Sequence, residues 1–193
     1  FILDGTTYLP VRAVGGALGK EVSWDGGTNT VYIGKAAADG AYSRLNPAPI
    51  GTAQGINIQN YSENYNANVK ITESCRGDEA LKKIKAANMF NEDPPEGMEH
   101  LLLKTAVTIT DVKDDKSVYL SEYSFAYFSS GNVEYDGFEI AVPPSPAFSG
   151  NVFSDATLKG YIVVTVKKDD PAPKAVFGMK YDGTGGIWFE LTK

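Results

Sequence analysis

The 193-residue chain predicts a mainly β fold: a β-sandwich with one short inserted helix, preceded by a small α+β unit. Three observations predict it. Short apolar–polar alternations recur from residue 48 to the C-terminus, a single segment of helical period interrupts them, and the first 35 residues mix strand, helix and hairpin signals. With 42% hydrophobic and 11% aromatic residues there is enough apolar surface for a buried core, so disorder is not expected. The length suits one medium domain with a small appendage.

Phe1-Ile2-Leu3 reads as a strand end, with Asp4-Gly5 as a turn. Pro10 suits a helix start and Gly19 its end, and Val11, Val14 and Leu18 between them lie on one stripe. Val22 and Trp24, then Val31 and Ile33, alternate on either side of Asp25-Gly26-Gly27-Thr28-Asn29, which is hairpin chemistry. Such a unit can bury Leu9, Val14, Leu18 and Trp24, but it is shorter than the roughly 40 residues at which unassisted folding becomes doubtful. Residues 36–47 carry small side chains without a period and read as a linker.

From residue 48 strands dominate. Ile56 and Ile58 alternate with polar neighbours, and Val69, Ile71 and Cys75 share one parity. A helix follows over DEALKKIKAANMF, with Asp78 as the expected N-cap, Glu79 in the first turn, and Leu81, Ile84 and Ala87 facing one way. Pro94-Pro95 stops it. Leu101, Leu103, Val107 and Ile109 then mark the strongest strand signal, its length of roughly ten residues suited to the centre of a sandwich sheet. Tyr123, Phe125 and Tyr127 alternate next, and Ile162, Val164 and Val166 after them. A closing hairpin turns at Asp182-Gly183-Thr184-Gly185-Gly186. About seven strands over 48–193 predict a sandwich, and without a recurring period a solenoid or propeller is excluded.

The net charge is -6, and residues 1–35 hold equal numbers of acids and bases, so the acidic excess lies in 36–193. A surface of that sign without a basic run argues against nucleic acid as a partner. Cys75 is the sole cysteine, so no intrachain disulfide forms. No apolar run reaches the ~20 residues of a membrane span. The chain opens at Phe1, so a signal peptide or lipid anchor is expected upstream.

The segment LDGTTYLPVRAVGGALGKEVSWDGGTNTVYI resembles the copper amine oxidase N-terminal-like domain, a stalk domain of Gram-positive surface proteins. The resemblance lies in Asp4-Gly5, LPVRAV (Leu9 to Val14), ALG (Ala17 to Gly19), V-x-W-D (Val22 to Asp25) and T-V-Y-I (Thr30 to Ile33). In that family a strand pair usually precedes the DG turn, so residues 1–35 correspond to part of a domain. The resemblance implies an appendage, since copper and quinone belong to a separate catalytic domain of the oxidases. With His100 the only histidine, the chain lacks the imidazoles such a copper site needs. Residues 48–193 resemble the immunoglobulin-like domain of unknown function of Firmicutes lipoproteins and secreted proteins, related in fold to a mycobacterial immunoprotective extracellular antigen. That resemblance rests on NPAPIGTA (Asn46 to Ala53), Gly77 to Ile109 with its PPEGMEHLLL, LKGYIVVTV (Leu158 to Val166) and GIWFEL (Gly186 to Leu191). It implies an immunoglobulin-like sandwich and a surface-associated accessory role, and it carries over no catalytic or ligand-binding residue.

Candidate chemistry is sparse. A Cys–His nucleophilic pair would have to be Cys75 with His100; the plainer expectation is a buried small hydrophobe and a surface imidazole. Asp78-Glu79, Glu92-Asp93, Asp111 with Asp114-Asp115, and Asp169-Asp170 lack the alternate spacing of a calcium loop and read as solvated turn carboxylates. Gly15 to Glu21 lacks the spacing and hydroxyl of a P-loop, and no G-x-S-x-G, H-E-x-x-H or S-x-x-K motif occurs. Asn60-Tyr61-Ser62 matches a glycosylation sequon, a pattern short enough to arise by chance. Tyr61, Tyr65, Tyr119, Tyr123, Tyr127 and Tyr135 could form a sugar- or peptide-binding face, or simply pack the sandwich. No catalytic, metal or cofactor-binding residue is assigned.

The function expected is a non-catalytic extracellular or cell-surface accessory protein that binds a protein or glycan at the envelope. A structural spacer and a hydrolase are the alternatives. An exposed strand edge leaves dimerisation through residues 1–35 open.

Overall fold

In the computed structural model the described residues are 2–3, 6–7, 11, 22–25, 30–33, 42–60, 63–135 and 141–192. The chain divides into two compact units, Phe1–Tyr42 and Ser43–Lys193. In the first, β1 (Ile2–Leu3) pairs antiparallel with β2 (Thr6–Thr7). The hairpin of β3 (Val22–Asp25) and β4 (Thr30–Ile33) sets Trp24 opposite Val31. The expected helix from Pro10 to Gly19, the small core around it and the first half of the 36–47 linker lie outside the described residues, apart from an exposed Val11.

The second unit is mainly β with several antiparallel sheets and one helix, as a sandwich requires. Its strands are β5 (Ala53–Gln59), β6 (Asn64–Arg76), β7 (Met98–Thr110), β8 (Val118–Leu120), β9 (Phe125–Phe128), β10 (Gly150–Val152), β11 (Thr157–Lys167), β12 (Lys174–Met179) and β13 (Gly185–Glu190). The larger sheet runs β11-β7-β6-β5, the smaller β13-β12-β9, and β10 pairs with β8. The strand count over 48–193 exceeds the predicted seven, because β8 and β10 are too short to leave an alternation in sequence.

Alternation dictates the core. On the larger sheet Val69, Ile71, Leu101, Leu103, Val107, Ile109, Ile162, Val164 and Val166 are buried. On the smaller, register aligns Tyr127, Ala175 and Phe189, and next to them Phe125, Phe177 and Ile187. Phe125 and Phe177 meet edge to face, their ring centroids 5.2 Å apart. Gln54 Nε2 donates to the Trp188 carbonyl and Ser74 Oγ to the Leu191 carbonyl, tying the two layers together. Gly160 is required by close approach: a Cβ there would stand 2.4 Å from the Phe148 nitrogen, where residues 146–148 run alongside β11 in a parallel bridge.

Helix α1 (Asp78–Ala87) lies between β6 and β7 in the chain and packs on the outer face of the larger sheet. Its N-cap is Gly77 at φ 64°, without a side-chain cap, and not Asp78. The reason is backbone conformation, since φ 64° with ψ -139° is a region that residues with a side chain rarely adopt. The buried stripe is Ala80 and Ile84, packed on Leu102 and Val163; Ala87, expected to face inward, is exposed.

Two strand expectations are corrected. Tyr123 is not in a strand: Ser121 caps a 3-10 turn over Glu122–Ser124, and β9 begins at Phe125. Cys75 does not share a face with Val69 and Ile71. Val69 pairs with Val107 and Ile71 with Thr105, but a bulge at Thr72 then sets Glu73 opposite Lys104 and Cys75 opposite Leu102. One extra residue reverses the parity of everything after it. Cys75 therefore faces helix α1, and Ser74 turns toward the interior.

Candidate functional site: a cleft beside helix α1

The bulge builds a cleft. With parity reversed, Glu73 and Cys75 of β6 face outward beside Leu102 and Lys104 of β7 and Tyr161 of β11. Helix α1 forms one wall through Glu79, Lys83, Ala86 and Ala87, and Pro144-Ser145 forms another. The open cleft has a volume of about 620 Å³. That lies in the range of small-molecule and peptide clefts.

Asn91 sets the spacing of the two walls. Buried at the helix end, its Nδ2 donates to the Ile84 and Val142 carbonyls, and its Oδ1 accepts from the Val142 amide. Outside the cleft, Met89 and Phe90 are about four-fifths exposed, at 79% and 82%, and Val142 is exposed as well. Such large apolar groups on a surface are informative when they adjoin a concavity.

The charges at the mouth are paired within each wall. Lys83 Nζ sits 2.7 Å from Glu79 Oε1 one helical turn away, and Lys104 Nζ 2.9 Å from Glu73 Oε1 across the strands. The Glu79 bond, then the Cys75 sulfur, raise the pKa of Lys83, whose Nζ lies 3.5 Å from Cys75 Sγ. The Glu73 bond likewise raises Lys104, which stands over the Tyr161 ring at 5.6 Å from its centroid.

Other candidates behave differently. Cys75 is half-buried in the cleft instead of sealed in the core. His100 is no surface imidazole: it is 2% exposed, with Nδ1 bonded to Thr165 Oγ1 and Nε2 without a partner. Their strand positions put Cys75 and His100 on the same side of the sheet, yet His100 does not line the cleft. Among the described residues no group of histidine, cysteine and carboxylates is placed to hold a metal ion.

Asp170, expected to be a solvated turn carboxylate, is buried at 5% exposure. It accepts from the Tyr135 hydroxyl at 2.5 Å and from the Ser130 and Ala172 amides. Burial alone would raise its pKa; these donors outweigh burial and hold it below the ordinary carboxylate value. The arrangement ties Ser130 and Tyr135 to the turn after β11, a structural duty. The tyrosines do not form one face: Tyr65 and Tyr127 are buried, Tyr119 and Tyr123 exposed, and Tyr61 falls outside the described residues. Ser62 of the sequon falls outside them too. The cleft itself was hidden in the sequence. The only cue was charged Glu73 interrupting the apolar parity of Val69, Ile71 and Cys75, and a bulge there cannot be told from an ordinary strand residue.

Comparison with known proteins adds the following. Residues 1–39 match the family model of the copper amine oxidase N-terminal domain. No curated protein matches the chain. Among solved structures the chain is similar to the "putative lipoprotein (ycdA)" of Bacillus subtilis subsp. subtilis str. 168, at 12% identity and a TM-score of 0.47. The similarity covers 72% of this chain and 38% of that one, so this chain spans well under half of its length. Among the described residues no helix is long and apolar enough to cross a membrane.

Proposed function

We propose that this chain is a non-catalytic accessory protein of the bacterial cell envelope that captures a ligand in the cleft beside helix α1. The observation that carries the proposal is the concavity: about 620 Å³ between a sheet face and a helix, walled by apolar and charged groups in similar measure. The match of residues 1–39 to an amine oxidase appendage, not to a catalytic domain, supports the envelope setting and the non-catalytic role. Against hydrolysis stands His100, which is committed to Thr165 and absent from the lining around Cys75.

A thermal-shift screen of the full chain against peptide, oligosaccharide and metabolite arrays tests this, with Ala87→Trp as the control. Ala87 is exposed on the helix wall, so an indole there fills the cleft without disturbing the core. The expected result is a ligand that stabilises the wild type and leaves Ala87→Trp unmoved. A chain that responds to no compound class would be a spacer instead.

A further inference from the structure

The cleft's chemistry narrows its ligand, on the premise that the cleft is the capture site. Its mouth carries two cations and two anions, arranged as Glu79–Lys83 on the helix and Glu73–Lys104 on the sheet. All four side chains are 40–67% exposed. Exposed pairs of this kind are worth little in themselves, so either partner exchanges readily for a ligand charge. A polyanion would meet Glu73 and Glu79, and a polycation would meet Lys83 and Lys104. A ligand with one charge of each sign leaves no group opposed by its like.

Between those charges the surface is apolar, made by Leu102, Ala86, Ala87 and Pro144. Tyr161 is the one aromatic ring among the lining residues, and Lys104 already stands over it. A pyranose would have to displace that ammonium to stack there, which disfavours sugars. We propose that the cleft takes a short peptide segment in which an apolar side chain sits between an ammonium and a carboxylate. The apolar side chain enters between α1 and the Pro144 wall. The ligand's carboxylate meets Lys83 or Lys104, and its ammonium meets Glu79 or Glu73.

The single thiol lines the cleft and reports its occupancy without being part of the recognition. The test is the rate of Cys75 alkylation by iodoacetamide in the full chain. Four probes are used: acetyl-Lys-Leu-Glu-amide, the neutral acetyl-Gln-Leu-Gln-amide, chitotriose and inorganic phosphate. At a peptide concentration twice its fitted Kd, alkylation should slow about threefold. The neutral peptide at the same concentration should leave it unchanged. In the folded variant K83Q/K104Q, whose changed side chains are exposed, protection by the charged peptide should be lost. Equal protection by the neutral peptide, or protection by chitotriose or phosphate alone, overturns the ligand class while leaving the cleft as a capture site. If no probe protects, and Ala87→Trp alkylates as fast as wild type, the capture site fails with it.

Discussion

Asn91 holds Val142 by both of its main-chain polar groups, donating to the carbonyl at 2.9 Å and accepting from the amide at 2.8 Å. The width of the cleft follows from that clamp between the helix end and the loop that faces it. Asn91→Ala would strand the Val142 amide and carbonyl, while the Ile84 carbonyl keeps the Asn88 amide. Unfolding in urea should show a loss of about 2 kcal/mol. Asn91→Asp keeps one acceptor but aims a carboxylate at two carbonyls, so it should be no better tolerated.

Thr105 lies on the core face between Leu103 and Val107, with its hydroxyl buried and without a hydrogen-bond partner. Thr105→Val replaces that hydroxyl with a methyl of similar size. The variant should be more stable than wild type by about 1 kcal/mol, read from the denaturation midpoint at unchanged slope. A loss of stability would mean that the hydroxyl has a partner after all.

Gly160 admits no side chain, because its Cβ position falls within 2.5 Å of the Ala147 carbonyl carbon and oxygen. Those atoms are backbone and cannot swing aside. Gly160→Ala should therefore cost about 3 kcal/mol or more, detectable as a large fall in Tm or failure to accumulate folded protein.

Two titrations should each make stability depend on pH. Asp170 has a folded pKa below its unfolded value, so its contribution is present above about pH 4 and is lost as pH falls through the lower, folded value. Asp170→Asn should be less stable at neutral pH and should flatten the acid limb. Tyr65 is pushed up to about 12, by burial first and by Glu63 second. Its contribution is complete below the unfolded value of about 10 and declines as pH rises toward the folded one. Tyr65→Phe should remove that share of the alkaline loss, measured by urea melts at successive pH.

The Thr72 bulge places Cys75 outside the core, so its thiol should react with a disulfide reagent such as DTNB in native buffer. The parity read from sequence, with Cys75 beside Val69 and Ile71, would instead demand denaturant before any reaction. A stoichiometric native reaction with retained circular dichroism supports the bulge; silence until unfolding would oppose it.

How much was readable beforehand follows from the range of each interaction. The alternation Leu101, Leu103, Val107, Ile109 announces a central strand because strand faces repeat every second residue, and all four are buried. The closing hairpin was readable for the same reason, with Asp182 bonding the Thr184 amide within its own turn. Asp170 and His100 were misjudged because their surroundings come from afar. Tyr135 and Ser130 reach Asp170 across 35 and 40 residues, and Thr165 reaches His100 across 65. No local pattern encodes such pairings. The cleft depends on a bulge, which inserts one residue without altering composition.

Side-chain order along the chain sufficed for the β layers, the single helix and the want of a familiar catalytic motif, since each reflects neighbours a few positions apart. Which side of the sheet received Glu73 and Cys75, and whether a hollow opened beneath the helix, was decided in three dimensions. One unpaired residue in β6 and a clamp spanning 51 positions from Asn91 to Val142 set both, and contacts of that reach exist only once the strands have paired.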